Sequence, residues 1–371
     1  MILFLLSLIQ LSISVQAFDN SYLMRSPKAL LMGDAFTAVN DDEFTLFYNP
    51  AALGRHKYDL TLTPLNAQVT GTNILSDMDK FKNFPSDPVG VSNVIMDYPV
   101  HAGASFAPGL KLFNFGVNFI GNQNYDLLLR NRAHPMLDVD LRDDKGFIAG
   151  FAIPLGGQRI GKKSSRGSQT SLGFSGKFIQ RTGLRDTLAL AGPTVLKTLD
   201  ENELNKIVNS LGKATGKAYG FDMGLEHIYR EGNSQYVFAL SALDITGTDF
   251  KVEKNINNTK VSNINDQVNL GFAFGQNYNY FNYILSADVR SLNEQMDFGK
   301  RLRLGGQLGV PGLKILAGMN SGYYSYGAML DFPLFKVTAG FYDQELGTSY
   351  KQVKSKRFVI YLSLFDFSFD A

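Results

Sequence analysis

The chain has 371 residues, and only 19% of them are charged, whereas an average soluble domain carries about a quarter. The formal net charge of +2 argues against a nucleic-acid binder, which needs a strong positive balance to neutralise phosphates. The sequence contains no cysteine, which excludes disulfide bonds and a cysteine-linked lipid anchor.

Residues 1–17 (MILFLLSLIQLSISVQA) form an apolar run that ends in the small residue Ala17. This pattern predicts a signal peptide that is cleaved after Ala17; the alternative is a retained membrane anchor. A spanning helix needs about 20 apolar residues, so this run is short for that purpose. No later stretch is apolar over the roughly 18 residues of a transmembrane helix. A membrane-embedded form of the remaining chain would therefore be a closed barrel.

The segment that follows is too polar and too broken for a strand, and it predicts short helical turns. Ser26-Pro27 fits an N-cap followed by proline at the first helical position, and Gly33 fits the stop. Asp41-Asp42 fits the cap of a second turn that runs through Phe47. We expect Asn49-Pro50 to end that turn, because the residue before proline is pushed out of the helical region.

The stretch MGDAFTAVNDDEFTLFYNPAAL, from Met32 to Leu53, resembles the N-terminal hatch of the FadL-like outer-membrane proteins. These are transporters of hydrophobic compounds, and the superfamily includes the PorV-type barrels. Two positions depart from the family pattern, because Asp34 and Ala52 stand where the family usually has glycine. The resemblance covers both ends of the chain well and the middle loosely.

The resemblance implies a hatch over residues 18–57 that plugs a barrel formed by residues 58–371, and a hydrophobic, fatty-acid-like ligand. The candidate ligand and hatch residues are Phe36, Phe47, Asn49, Pro50 and Ala51. An asparagine amide both donates and accepts hydrogen bonds, so we expect Asn49 to bond the barrel wall and to couple hatch movement to an opening path. The alternative is that the motif only anchors the hatch.

From residue 58 onward, bulky or aromatic residues alternate with glycine and polar residues, as in FNFGVNF (113–119) and YGFDMGL (219–225). Period-two alternation predicts a sheet with one apolar and one polar face. We expect Phe115 and Phe221 to face lipid and Asn118 and Asp222 to face the lumen, because a shift of one residue would turn every aromatic side chain inward. On this basis Asp222→Asn should be nearly silent.

A soluble antiparallel sandwich also alternates, but nothing in this sequence is left over to cover the aromatic face. The sequence therefore predicts an all-β fold, a transmembrane antiparallel β-barrel of about 14 strands with an N-terminal helical plug. The predicted strands are 58–69, 99–107, 111–124, 144–154, 170–182, 217–230, 235–246, 266–276, 279–290, 300–309, 313–320, 323–331, 334–343 and 357–369.

The predicted connections are short at one end and long at the other, as in outer-membrane barrels with periplasmic turns and extracellular loops. The short ones are 108–110, 230–234, 310–312 and 332–334, and the long ones are 70–98, 125–143, 183–216, 247–265 and 344–356. Within 200–211 an apolar stripe predicts an amphipathic helix. This helix is either a lid on the outer loops or a docking face for a ligand or a protein.

Phe365, Phe367 and Phe369 share a face of the last predicted strand. They resemble the aromatic end by which the outer-membrane insertion machinery recognises a barrel. We therefore expect the mature protein in the outer membrane of a bacterial cell, in contact with outer-membrane lipid.

The sequence gives little catalytic chemistry. The four histidines, His56, His101, His134 and His227, lack the spacing of metal ligands, and we expect them in loops or interfaces. No nucleophile motif of the G-x-S-x-G kind occurs. We expect no enzyme activity, no metal and no cofactor.

Three functions remain open. The first is passive uptake of hydrophobic small molecules through a hatch-gated lumen. The second is a PorV-like platform for a secretion or surface-assembly system, and the third is a structural outer-membrane protein with a sealed lumen. We favour the first; an apolar cavity under the long loops would support it, whereas a filled lumen with exposed loop patches would support the second.

Overall fold

The computed structural model describes residues 22–55, 59–81, 98–131, 136–156, 166–189, 212–245, 247–254, 261–332, 334–365 and 367–370, with the single residues 90, 94 and 96. The predicted signal peptide at 1–17 and the predicted helix within 200–211 lie outside these residues. Within them, no helix is long and apolar enough to cross a membrane.

The described wall consists of 14 strands. They are β1 (Asp59–Thr63 and Leu65–Thr72), β2 (Val100–Phe106 and Gly109–Leu112), β3 (Phe115–Arg130), β4 (Met136–Gly156), β5 (Arg166–Ala189), β6 (Ala214–Glu231), β7 (Ser234–Leu243), β8 (Gln267–Asn277), β9 (Asn282–Val289), β10 (Leu302–Val310), β11 (Leu313–Asn320), β12 (Tyr323–Phe332), β13 (Phe335–Glu345) and β14 (Lys354–Leu364 and Phe367–Asp370). A further short strand, Lys251–Lys254, pairs with the start of β6.

The described helices are short. They are α1 (Pro27–Leu31), α2 (Met78–Phe81) and α3 (Phe298–Arg301), with 3-10 turns at Thr45–Phe47, Pro50–Arg55 and Ile74–Asp77.

The sheet closes on itself. Val69 of β1 lies opposite Ala104 of β2 on one side and opposite Ile360 of β14 on the other, and both pairings are antiparallel. Each remaining strand pairs with its neighbours in the chain. The predicted all-β, 14-stranded antiparallel barrel is therefore confirmed.

The two faces of the wall have the predicted register. Phe115 and Phe221 are 50% and 60% exposed on the outside. Asn118 and Asp222 are each 2% exposed and face inward. An apolar outer face and a polar interior are the pattern of an outer-membrane barrel.

The first short turn lies elsewhere than predicted. The chain reverses at Phe113 and Asn114, where Phe113 has φ +54°, and not at 108–110. Pro108 only interrupts β2, because it has no N–H for the ladder. The Asn66 side chain replaces the missing ladder bonds: its Oδ1 accepts from the Ala107 N–H at 2.6 Å, and its Nδ2 donates to the Ala107 carbonyl at 2.9 Å.

Most of one predicted loop, 125–143, and residues 183–189 and 214–216 of another, 183–216, are strand, because the strands extend beyond their predicted bounds. Charged residues of the first of these loops are paired along the wall: Arg130 bonds Asp138 at 2.5 Å, and Asp126 bonds Arg357 of β14 at 2.9 Å. Such pairing lets a strand carry charge on its buried face.

The last strand is also not continuous. Phe365 has φ +60° and its N–H bonds the carbonyl of Leu334 at 2.9 Å, so it separates the two parts of β14. The predicted alternation therefore breaks at Phe365. The side chains of Phe367 and Phe369 lie outside the described part of the structure.

Candidate functional site

Residues 22–55, here called the luminal segment, lie inside the ring of strands. Nearly all of the segment is buried, and its contacts reach the wall on all sides. Asn122 of β3 donates to the Leu23 carbonyl at 2.7 Å, and Ser325 of β12 donates to the Leu31 carbonyl at 3.0 Å. The segment therefore fills the cross-section of the barrel that its contacts span.

The local structure of the segment follows its capping residues. Ser26 caps α1 by accepting from the Ala29 N–H at 3.2 Å, and Pro27 takes the first helical position as predicted. After α1, Gly33 and Asp34 both have positive φ, +63° and +62°. Asp34 fills a position where the hatch family usually has glycine, and aspartate is one of the few residues that tolerates this backbone region.

The prediction that Asn49-Pro50 ends a turn was incomplete. Pro50 begins a new 3-10 turn, Pro50–Arg55, and Asn49 caps it by accepting from the Ala51 N–H at 3.0 Å. Proline is suited to this first position because its missing N–H is not needed there. Asn40 holds the backbone just before Pro50 in place by donating to the Asn49 carbonyl at 2.9 Å.

Asn49, Pro50 and Ala51 rest on two glycines of the wall. Gly173 of β5 and Gly224 of β6 lie directly opposite each other in the sheet. A Cβ at Gly173 would come within 2.1 Å of the Ala51 nitrogen, and a Cβ at Gly224 within 1.8 Å of Asn49 Oδ1. Only glycine permits this approach.

Three further cross-strand glycine pairs support the segment in the same way. The Met32-Gly33 backbone packs on the pair Gly305–Gly318, and the Leu31 side chain packs on Gly327–Gly340. The side chains of Leu46 and Leu53 pack on Gly116–Gly150. The segment is thus seated on four glycine pairs, on β3–β6 and on β10–β13.

The other two candidate residues are buried aromatics of the segment. Phe36 packs edge-on against Tyr48 with ring centroids 5.1 Å apart, and Phe47 lies 6.1 Å from Phe44. All five candidate residues are buried. The structure brings Asn49, Pro50 and Ala51 to the wall, and it places Phe36 and Phe47 in the packed interior.

The direct bond from Asn49 to the wall is long. Its Nδ2 donates to the Leu225 carbonyl at 3.5 Å, which is the weak end of hydrogen bonding. The cap to Ala51 and the seat on Gly224 are the closer contacts.

Ion pairs that were not predicted from the sequence hold the luminal segment more strongly than the Asn49–Leu225 hydrogen bond does. Arg55 forms a bidentate pair with Glu226 of β6, at 2.7 and 2.5 Å, and also donates to the Ala38 and Val39 carbonyls. Bidentate arginine–carboxylate pairs are among the strongest polar contacts in proteins.

A second group lies on β9. Asp34 pairs with Arg290 at 3.1 Å and accepts from the Tyr48 hydroxyl at 3.2 Å. Asp288 accepts from the backbone N–H groups of Phe36 and Thr37 at 2.9 and 2.8 Å. Asp288 thereby satisfies two donors of the turn that follows α1.

The acidic stretch Asp41 to Glu43 meets three cations. Lys28 pairs with Asp41 at 2.7 Å, Lys336 of β13 pairs with Glu43 at 3.3 Å, and Lys111 of β2 donates to the Asp42 carbonyl. Burial, and after it the neighbouring Glu43 and Asp41 carboxylates, raise the pKa of Asp42 to about 6.

Asp222 is more than a lumen-facing polar residue. Lys177 of β5 bonds both Asp222 and Asp244, each at 2.8 Å, and Ser175 also donates to Asp222 at 2.8 Å. We therefore replace the expectation that Asp222→Asn is nearly silent: the change should weaken a buried charge network.

A small polar cavity of about 60 Å³ lies beside the start of the segment, residues 22–25. His101 and Arg357 line it and both contact Asp126, at 2.7 and 2.9 Å. His101 and His227 lie in β2 and β6 rather than in loops, whereas His56 and His134 lie outside the described residues. Within the described chain, no group of three or more acidic or histidine side chains could hold a metal ion.

No protein-family model matches the chain, and no curated protein matches it. Solved structures do. The chain is similar to the toluene transporter TbuX of Ralstonia pickettii (12% identity, 92% of this chain and 98% of that one, TM-score 0.42). It is also similar to the toluene transporter TodX of Pseudomonas putida (10%, 94% and 100%, 0.40) and to a FadL homologue of Pseudomonas aeruginosa (9%, 94% and 99%, 0.31). All three are FadL-type outer-membrane barrels.

Proposed function

We propose that the protein is an outer-membrane barrel for passive uptake of hydrophobic small molecules, and that the luminal segment closes the path. The observation that carries this proposal is that the hatch-like stretch lies buried inside a closed barrel and is held there by the wall. A ligand that crosses the barrel needs part of this segment to move.

The part we propose to move is residues 22–25. Residues 27–55 contain every contact with the four glycine pairs. Residues 22–25 instead reach the wall through side-chain bonds, from Asn122 to the Leu23 carbonyl and from Arg25 to Gln344 at 2.9 Å. They also border the polar cavity, and none of them contacts the four glycine pairs, so their movement need not disturb the glycine seats.

In this account the candidate hatch residues form the fixed base of the closure. Asn49, Pro50 and Ala51 tether it to β5 and β6, and Phe36 and Phe47 fill its interior. The aromatic end at Phe365, Phe367 and Phe369 serves recognition by the insertion machinery.

The firm seating of residues 27–55 also favours a second candidate, a platform for a secretion or surface-assembly partner. The two differ in permeability. Cells that lack and cells that express the protein would be compared for uptake of a fluorescent dodecanoate analogue. Faster uptake with the protein supports the transporter, and equal uptake with confirmed outer-membrane expression supports the platform.

A further inference from the structure

An apolar groove of about 890 Å³ lies on the outer face of the barrel, across β11 to β14. It is separate from the lumen, because the residues that form its floor and walls alternate with inward-facing ones. Ala328 is exposed on the outside, for example, while its neighbour Gly327 faces Leu31 of the luminal segment. The volume falls in the range of sites that bind small molecules.

The groove arises from side-chain size. Its floor carries Ala328 of β12 and Ala339 of β13, which lie directly opposite each other. Their outer partners in the same row are larger: Ile315 of β11 pairs with Ala328, and Ile360 of β14 pairs with Ala339. Two small residues between two isoleucines make a trough in this part of the outer face.

Aromatic side chains border the trough toward the long-loop end. Tyr326 and Phe341 lie opposite each other with ring centroids 5.8 Å apart, and Phe358 pairs with Phe341 on the other side. Ile74 and Leu75, which are half or more exposed, line the groove from the 3-10 turn after β1. The groove is therefore walled on several sides.

Polar groups are confined to the loop end of the groove. Asn73 lines it, and the buried Oδ1 atom of Asn73 has no hydrogen-bond partner in the described part of the chain. Lys356 lies next to it, with its Nζ 2.9 Å from Asp77. The 3-10 turn is thereby tied to β14 at the place where the groove ends.

We propose that this groove binds one acyl chain of an outer-membrane lipid, with the lipid headgroup at Asn73 and Lys356. The lipid-facing surface of a barrel lies in hydrocarbon, so the natural occupant of an apolar trough there is a chain of methylenes. The polar end suits a headgroup because the Lys356 side chain stays about 33% exposed beside its pair with Asp77, so its ammonium group can also contact a headgroup phosphate. This inference requires only that the barrel spans the membrane and does not depend on uptake.

The sequence provides a clean reporter, because it contains no tryptophan. The variant Tyr326→Trp carries one tryptophan at the groove, and Phe221→Trp carries one on the lipid-facing side of β6. Each purified protein in detergent would be titrated with a phosphatidylethanolamine that has a dibrominated acyl chain, which quenches tryptophan fluorescence on contact.

We expect saturable quenching of the Tyr326→Trp protein at about one lipid per barrel, and only a gradual linear decrease for Phe221→Trp. Adding Ala339→Leu fills the trough and should weaken the saturable phase about tenfold or more. The matched control is Ala149→Leu, which adds the same side chain to the outer face of β4 and should change nothing.

Linear quenching at both reporters would overturn the proposal, since it means ordinary lipid solvation. Saturable quenching that survives Ala339→Leu would also overturn it. A dimer in light scattering that dissociates on Ala339→Leu would assign the groove to a second copy of the chain instead. Heat-shifted migration on a gel checks that each variant folds. If the Ala339→Leu protein does not fold, Ala328→Val fills the trough with a smaller side chain.

Discussion

Arg55 of the luminal segment and Glu226 of β6 form a bidentate ion pair, with nitrogen–oxygen distances of 2.7 and 2.5 Å. The Glu226 side chain is almost fully buried, whereas Arg55 retains some exposure. Because Arg55 also bonds the Ala38 and Val39 carbonyls, this pair joins two parts of the segment to the wall.

Glu226→Gln should therefore destabilise the barrel by about 3 kcal/mol, the low end for removing one partner of a buried pair. Urea unfolding in micelles would measure the change. Glu231→Gln is the matched control on the same strand, because Glu231 and its partner Arg166 are 58% and 75% exposed and exposed pairs contribute about 0–1 kcal/mol. Equal losses in the two variants would show that the Arg55 pair does not stabilise the closure.

Gly173→Ala should disrupt the seat of the luminal segment. The new Cβ would lie 2.1 Å from the Ala51 nitrogen, and backbone cannot move aside as a flexible side chain can. Overpacking of this kind costs about 1–3 kcal/mol. Gly176→Ala on the same strand is the control, since its nearest neighbour is the Phe221 ring at 3.8 Å. The fraction of each variant that runs as folded barrel on a gel without heating measures the difference. Equal fractions would contradict the claim that Gly173 supports the luminal segment.

Asn49→Ala removes the cap of the Pro50–Arg55 turn and should cost about 1 kcal/mol. We expect it to leave insertion and uptake of the fluorescent dodecanoate analogue intact, because residues 22–25 and not Asn49 open the path. Altered uptake by a folded variant would show instead that Asn49 couples the closure to the path. Asn49→Asp keeps the oxygen that caps Ala51 but loses the amide that donates to Leu225. Comparing the two variants therefore distinguishes the effect of the cap from the effect of the wall contact. If a folded Asn49→Ala protein at wild-type level shows normal uptake, Asn49 is only a structural tether.

The two faces of β6 should respond differently to substitution. Phe221→Arg places a charge in lipid and should cost about 2–4 kcal/mol near the membrane centre. Asp222→Asn should cost about 1–3 kcal/mol, because it weakens a charged hydrogen bond to Lys177. The comparison is made by urea unfolding in lipid vesicles. A silent Asp222→Asn would show that Asp244 alone satisfies Lys177.

The wall could be predicted well from the sequence because alternation is a local signal. Phe115 and Phe221 showed their outward direction within a few residues. The signal failed where strands carry charge: Asp126 and Asp138 indicated a loop, although their partners Arg357 and Arg130 keep them inside strands.

The closure could not be predicted in detail because its contacts are remote in sequence. Asp34 and Arg290 are 256 positions apart. Gly173 and Gly224 face each other only in one register of the sheet, so neither glycine shows its role alone. A weak signal was present: Glu226, Asp288 and Arg290 are charged residues at inward positions of strands in a chain that is short of charge.

Two disulfide locks test whether residues 22–25 open the path while residues 27–55 stay fixed. The chain has no cysteine, so Leu23→Cys with Asn122→Cys locks the first part, and Leu53→Cys with Gly116→Cys locks the second. Both pairs join residues in contact in the closed state. Uptake of the fluorescent dodecanoate analogue is measured in cells before and after reduction. We expect the Leu23–Asn122 lock to block uptake until it is reduced, and the Leu53–Gly116 lock to leave uptake unchanged. Unchanged uptake with the first lock closed, or a block by the second, would contradict this expectation.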